Sequence, residues 1–279
     1  MKVRHLYFIL AGIAISLSVL GIPRYIADDK SYSVQGRDEN DEGLIILVCY
    51  VGENMVKPMD EICRAYERLN PGTALECYDS GTTDLDKTIR DNCNGDLFLP
   101  GSNSYTDKMK KEGLVILDKP VCKHILSVIV PVYAKVKVWQ DLMKPGIRIG
   151  RGNENNCSVG RLAKRVVKKS GLAQIETNIK ILSVINFQSS SFKSLLGNGE
   201  SQTIDALMNW RNMSFCPKEY KDKLMIIDIP ENINIIKTIP IAVLKYSKHP
   251  KAADKFARFV SSEEGKRIFR KRGFATCDE

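Results

Sequence analysis

Histidine is nearly absent. The chain has three in 279 residues, and only His124 and His249 lie beyond the first few positions. Neither stands near a Ser or Cys in a nucleophile motif such as G-x-S-x-G. No H-E-x-x-H and no G-x-x-x-x-G-K-[ST] occurs, so zincin and P-loop chemistry have no footing here. Nothing in the sequence asks for catalysis, and the expectation is a protein that is not an enzyme. The eight cysteines (Cys49, Cys63, Cys77, Cys93, Cys122, Cys157, Cys216 and Cys277) form no C-x-x-C pair. That excludes zinc-ribbon and thioredoxin-like readings and leaves no metal site or cofactor to expect. An even count permits disulfides in an exported chain, but spacing alone does not assign partners. Free buried thiols are the simpler expectation where the Cys falls in an apolar strand or helix. No long low-complexity segment or solenoid-like repeat is visible.

The N-terminus has an apolar run but no acid. Lys2, Arg4 and His5 precede Leu6–Ile22, and Pro23 and Arg24 stop the run. A basic start before a short apolar stretch is the pattern of a secretory signal, here residues 1–21. Its length is at the short edge for a membrane span, so an uncleaved anchor is the alternative. No Cys follows the run, which argues against a lipoprotein anchor. Residues 22–43 are polar and mixed in charge and read as a spacer.

The formal charge is +9. Removing residues 1–21 takes away Lys2 and Arg4, which leaves 40 bases against 33 acids, or +7. Ten of the bases lie between Lys245 and Arg272, among Asp254, Glu263 and Glu264. A solvated helix face explains them, and export argues against nucleic acid as a partner. Apolar residues at 43% and charged residues at 27% describe a globular chain long enough for two cored domains.

Periodicity predicts alternating strands and helices. Leu44–Tyr50 is a continuous apolar run, as in a strand buried on both faces. Met59, Ile62, Cys63 and Tyr66 share one face of a helix over Pro58–Leu69. A strand at Thr73–Tyr78, a helix from about Asp84 to Arg90, a strand at Leu97–Leu99 and a helix at Asp107–Lys111 follow. The pattern restarts after Cys122. Strands are expected at Ile125–Val132, Ile147–Gly150, Ile204–Trp210, Leu224–Ile229 and Thr238–Leu244. Helices are expected at Trp139–Met143, Val159–Ser170 and Ser191–Leu196, with a closing pair over Pro250–Val260 and Ser262–Arg270. Such alternation implies α/β architecture with parallel strands and right-handed crossovers.

Three strand-to-helix turns are rich in small and polar residues: Gly52-Glu53-Asn54-Met55, Ser80-Gly81-Thr82-Thr83 and Asn155-Asn156-Cys157-Ser158-Val159-Gly160. At such turns, free backbone N–H groups and the positive end of the helix dipole gather. That builds an anion site without formal charge. Each turn alone is explained by ordinary N-capping. Three that converge at the carboxyl ends of strands point to a ligand.

The order of segments resembles the periplasmic molybdate/tungstate-binding protein family of ABC importers, over about Leu44 to Phe274. The stretches that carry the resemblance are CYVGENMVKPMDEI, YDSGTTDL, NGDLFLPGS, GNENNCSVG, IDALMNW, IPIAVLKYSKHPKAADKFARFVSS and EGKRIFRKRGF. The resemblance implies a two-lobed, type II periplasmic-binding fold, each lobe a mixed, mainly parallel sheet flanked by helices. The expected lobes are residues 44–123 plus 238–279, and 124–237. It implies a monomer that holds a small oxyanion between its lobes and delivers it to a membrane permease. In that family, serine hydroxyls, backbone N–H groups and a Tyr hydroxyl hold the anion. Carried over, Ser80 matches a ligand-binding serine, Cys157 a backbone donor, and Trp210 the Tyr position. With the turn residues, the expected ligand set is Asn54, Ser80, Gly81, Thr82, Cys157, Ser158 and Trp210. The chain departs from the family at Glu53-Asn54, where the molybdate proteins have Ala-Ser or Gly-Ser. Alternatives are sulfate or phosphate as ligand, and a membrane-tethered sensor or adaptor in place of a transport protein.

Overall fold

A computed structural model of the chain describes residues 43–155, 158–182, 187–197, 202–215, 220 and 222–277. The expected signal or anchor and nearly all of the spacer lie outside them. The chain divides into two compact units. The first holds residues up to Lys119 and Pro240–Ser261; the second holds Pro120–Ile239 and Ser262 onward.

In the first unit the elements are β1 (Ile45–Gly52), α1 (Val56–Leu69), β2 (Thr73–Ser80), α2 (Thr82–Asn92), β3 (Leu97–Leu99) and α3 (Asn103–Lys111). β1 pairs in parallel with both β2 and β3. The returning strand β10 (Lys237–Leu244) lies antiparallel to β3. β1 is buried because it is central: Leu47, Cys49 and Val51 are at most 1% exposed. Burying each such aliphatic side chain contributes roughly 2 kcal/mol. α1 turns Met59, Ile62, Cys63 and Tyr66 inward. Tyr66 meets Phe256 edge-on at 4.9 Å, and so packs α1 against α7 (Pro250–Val260). Asp96 is 5% exposed, and its carboxylate accepts from Val48 N–H and the Ser247 hydroxyl, so this buried acid is not left unpaired.

The second unit is built on a five-stranded sheet of order β7-β6-β8-β5-β9. Its strands are β5 (Leu126–Pro131), β6 (Ile149–Gly152), β7 (Ile179–Leu182), β8 (Ala206–Trp210) and β9 (Leu224–Asp228). β6 runs parallel to β7 and β8, and β5 antiparallel to β8 and β9. Helices α4 (Ser158–Ser170), α5 (Ala173–Thr177) and α6 (Phe187–Leu196) complete it. α4 carries Leu162, Ala163, Val166 and Val167 on its buried face.

Several elements depart from the sequence reading. β4 (Val115–His124) is a ten-residue strand of which only the Cys122–His124 end was expected. Its Asp118-Lys119-Pro120 centre reads as a loop, yet its Cys122–Lys123 end pairs with β11 (Ala275–Thr276). In the division into units, α8 (Glu263–Lys271) groups with the second unit. α5 and β7 were likewise not expected, because each is only four or five residues long.

Candidate ligand-binding site

In the first unit, three parallel strands end side by side and each feeds a helix. The ladder sets Gly52 opposite Ser80 and Val51 opposite Leu99. The turns that follow are Gly52-Glu53-Asn54, Ser80-Gly81-Thr82 and Gly101-Ser102-Asn103. The first turn is a short 3-10 segment, Glu53–Met55, that leads into α1. Packing is close at its start: a Cβ on Gly52 would lie 2.8 Å from the Met55 methyl group, which would have to shift, and 3.4 Å from Gly101 N. Glu53 is exposed and Asn54 half-buried.

The second turn is built to donate. Gly81 caps α2 with no side-chain hydrogen bond. Asp84 and Leu85 N–H bond back to Gly81 O, at 2.9 and 3.1 Å. The positive end of the α2 dipole lies at Gly81 and Thr82, with the Asp84 carboxylate in the same first turn. Ser80 is half-buried, and among the described residues its hydroxyl has no hydrogen-bond partner. Thr82 Oγ1 accepts from Gly101 N–H at 3.0 Å, which ties the second turn to the third. Because that oxygen accepts, its own proton stays available to donate. The third turn was missed as a site in the sequence. Ser102 caps α3, its oxygen accepting from Ser104 N–H at 3.3 Å. The P-G-S signature was as legible as the other two; it was read only as part of a family stretch.

The structure therefore brings Asn54, Ser80, Gly81 and Thr82 to one sheet edge within the first unit.

In the second unit the turn to compare runs from β6 into α4. Ser158 is the exposed first residue of α4, and Cys157 lies outside the described residues. Gly160 fits where nothing larger could: a Cβ there would lie 2.3 Å from Gly152 O. This turn is ringed by charge. Arg151 is 3% exposed; its Nη1 donates to Glu154 Oε2 at 2.9 Å and to Gly160 O at 3.3 Å. Lys164 donates to the other Glu154 oxygen at 3.0 Å, and Arg161 reaches Glu154 O and Asn155 O. Its own backbone N–H, then Lys164, then Arg151 hold the Glu154 carboxyl down at about 2. Arg151 was missed in the sequence because an Arg in a short strand reads as solvent-facing.

Trp210 ends β8 and is 4% exposed. Its ring stacks on His124 at 4.5 Å, and His124 stacks in turn on Phe274 at 5.8 Å. Packing accounts for Trp210 without a ligand, and the structure does not bring it out to the turn. Cys122 and His124 are both buried on β4, as a packing role requires. Among the described residues, no cluster of His, Cys, Asp and Glu could hold a metal ion.

Residues 47–275 match the family model for bacterial extracellular solute-binding proteins. The chain belongs to this family. Its members bind solutes for ABC importers; the family is one of binding proteins, not enzymes. A protein of Haemophilus influenzae, described only as a binding protein, is 24% identical over 250 residues, which cover 88% of this chain and 93% of the relative. The substrate-binding domain of a molybdenum ABC transporter candidate from Clostridium difficile has a TM-score of 0.72 at 19% identity, covering 83% of this chain and 99% of that one. The sulfate-binding protein SubI of Mycobacterium tuberculosis has a TM-score of 0.66 at 15% identity, covering 84% and 88%. At these identities the fold is what is shared. The sequence resemblance to periplasmic molybdate/tungstate-binding proteins thus holds for family and for fold: α/β, with two mixed sheets flanked by helices. Among the described residues no helix is long and apolar enough to cross a membrane.

Proposed function

We propose that this solute-binding protein takes up a small tetrahedral oxyanion, of the molybdate or tungstate type, outside the cytoplasmic membrane and passes it to an importer permease. One observation carries the reading. Three helix N-termini open side by side at the carboxyl ends of β1, β2 and β3, and the Ser80 hydroxyl beside them has no partner among the described residues. Donors without formal charge suit a dianion that must be released again to a transporter. Ser80, Gly81 and Thr82 are the proposed core of the site, with Asn54 and Ser102 at its sides. Within the second unit, Ser158 is proposed as a ligand residue and Trp210 as a packed support for its strand end. Residues 1–21 are proposed to direct export, as a cleaved signal or a retained anchor, and the protein is proposed to act as a monomer.

A thermal-shift screen of the protein against molybdate, tungstate, sulfate and phosphate tests this. A ligand at a hundred times its dissociation constant stabilises the folded state by about 2.7 kcal/mol. A rise in melting temperature with molybdate or tungstate is expected. A rise with sulfate or phosphate alone would move the ligand while keeping the site. No shift with any of the four would remove the oxyanion reading.

A further inference from the structure

Beneath the proposed turns, three thiols meet in the first unit. Cys49 and Cys77 stand directly opposite each other on β1 and β2. Cys63, on the buried face of α1, brings its Sγ to 3.4 Å from the Cys77 Sγ. All three are free thiols. Their accessibility differs. Cys49 is fully buried and Cys63 is 7% exposed, whereas Cys77 is partly open. Hydrogen bonds from Cys49 first, and from Cys63 next, hold the Cys77 thiol well below its ordinary range. The reactive form of a thiol is the thiolate, so of the three thiols Cys77, on the least buried residue, is the readiest to react.

We propose that Cys63 and Cys77 are a redox pair that closes to a disulfide, fastening α1 to β2, when the chain meets an external disulfide of the kind present outside the cytoplasm. Cys77 thiolate attacks one sulfur of the external disulfide and expels the other as a thiol, leaving a mixed disulfide. Cys63 then loses its proton and attacks the Cys77 sulfur, expelling the second thiol. Two protein thiols are oxidised, one external disulfide is reduced, and two external thiols leave with the two protons. Cys49 is the spectator. It is sealed from any external reagent, and its hydrogen bond favours the attacking thiolate. The bond would close a loop between positions 14 residues apart, and a cross-link stabilises chiefly by restricting the unfolded chain. α1 and β2 lead from and into two of the proposed anion turns, so the same bond would fix the first turn against the second.

The test uses the full chain held in glutathione–glutathione disulfide buffer, then alkylated and digested without reduction. Mass spectrometry should find the Cys63 and Cys77 peptides linked, with the free-thiol count down by two and restored by dithiothreitol. The linked chain should melt higher than the reduced chain. Cys63→Ser should abolish the link, and Cys49→Ser should leave it. Should the Cys63 variant not fold, the wild-type peptide map decides by itself. Cys63 and Cys77 both alkylated at high glutathione disulfide, Cys77 linked to Cys49 instead, or a linked form that melts lower than the reduced one would each overturn the proposal.

Discussion

The strand-to-helix turns of the two units are built in different ways. In the first, the strand-to-helix turns present backbone N–H groups, the Ser80 hydroxyl and the Thr82 proton, and among the described residues no cationic side chain is bonded to Ser80, Gly81 or Thr82. In the second, the β6–α4 turn is braced by Arg151, Arg161 and Lys164 around Glu154. Full charges there are spent on the turn itself: Arg151 is buried and bonded to its own loop. Charge near a turn is therefore not the same as charge offered to a ligand. The first unit's neutral donors are the better candidates for recognition, and the second unit's ions hold shape.

The strongest way to break that contrast is Arg151→Met. It removes the ion pair to Glu154 and the bond to Gly160 O from a buried position, and a cost of about 3 kcal/mol is expected. Both tryptophans, Trp139 and Trp210, lie in the second unit. Urea unfolding followed by tryptophan fluorescence therefore reads that unit selectively. A midpoint unchanged by the substitution would mean that Arg151 is not the brace described.

Ser80→Ala should do the converse. A hydrogen bond to a charged ligand is worth about 2 kcal/mol, so roughly a thirtyfold loss of oxyanion affinity is expected, with the fluorescence-detected midpoint unmoved. Unchanged affinity would take Ser80 out of the site. Thr82→Val should have a smaller effect. Gly101 N–H loses its acceptor, at a cost of about 1 kcal/mol in stability, and affinity should fall less than for Ser80→Ala. Circular dichroism melts and calorimetry separate the two effects.

The mildest test concerns acid. The Asp141 carboxyl is held down at about 2 by Lys144, and by the Lys137 and Val138 N–H groups. A carboxyl lowered in the folded state stabilises above its unfolded value, near 4, and that contribution is lost as pH falls toward 2. Asp141→Asn should thus melt below the wild type at pH 7, and the gap should close between about pH 4 and pH 2. A gap that persists at pH 2 would mean that the carboxylate charge is not what matters there.

How much of this was legible in the sequence depends on the kind of residue. β1 and α1 were plain because an apolar run and a 3.6-residue stripe are both direct consequences of burial. The Gly52 and Ser80 turns were plain because small residues between a strand and a helix have few other uses. The first part of β4 was hidden by Pro120 and two charges at its centre. Arg151 was hidden because its burial is set by Glu154 and Gly160, which periodicity does not weigh. The Cys63–Cys77 contact was hidden for the same reason: it joins a helix to a strand, and its distance belongs to the packing.

The most direct test of the central claim is a calorimetric titration of the protein with molybdate and tungstate at low and at high salt. Binding through enclosed N–H and hydroxyl donors predicts one site per chain, with an affinity that survives at high salt because enclosed contacts are weakly screened. Absence of saturable binding, or an affinity that collapses as salt rises, would contradict it.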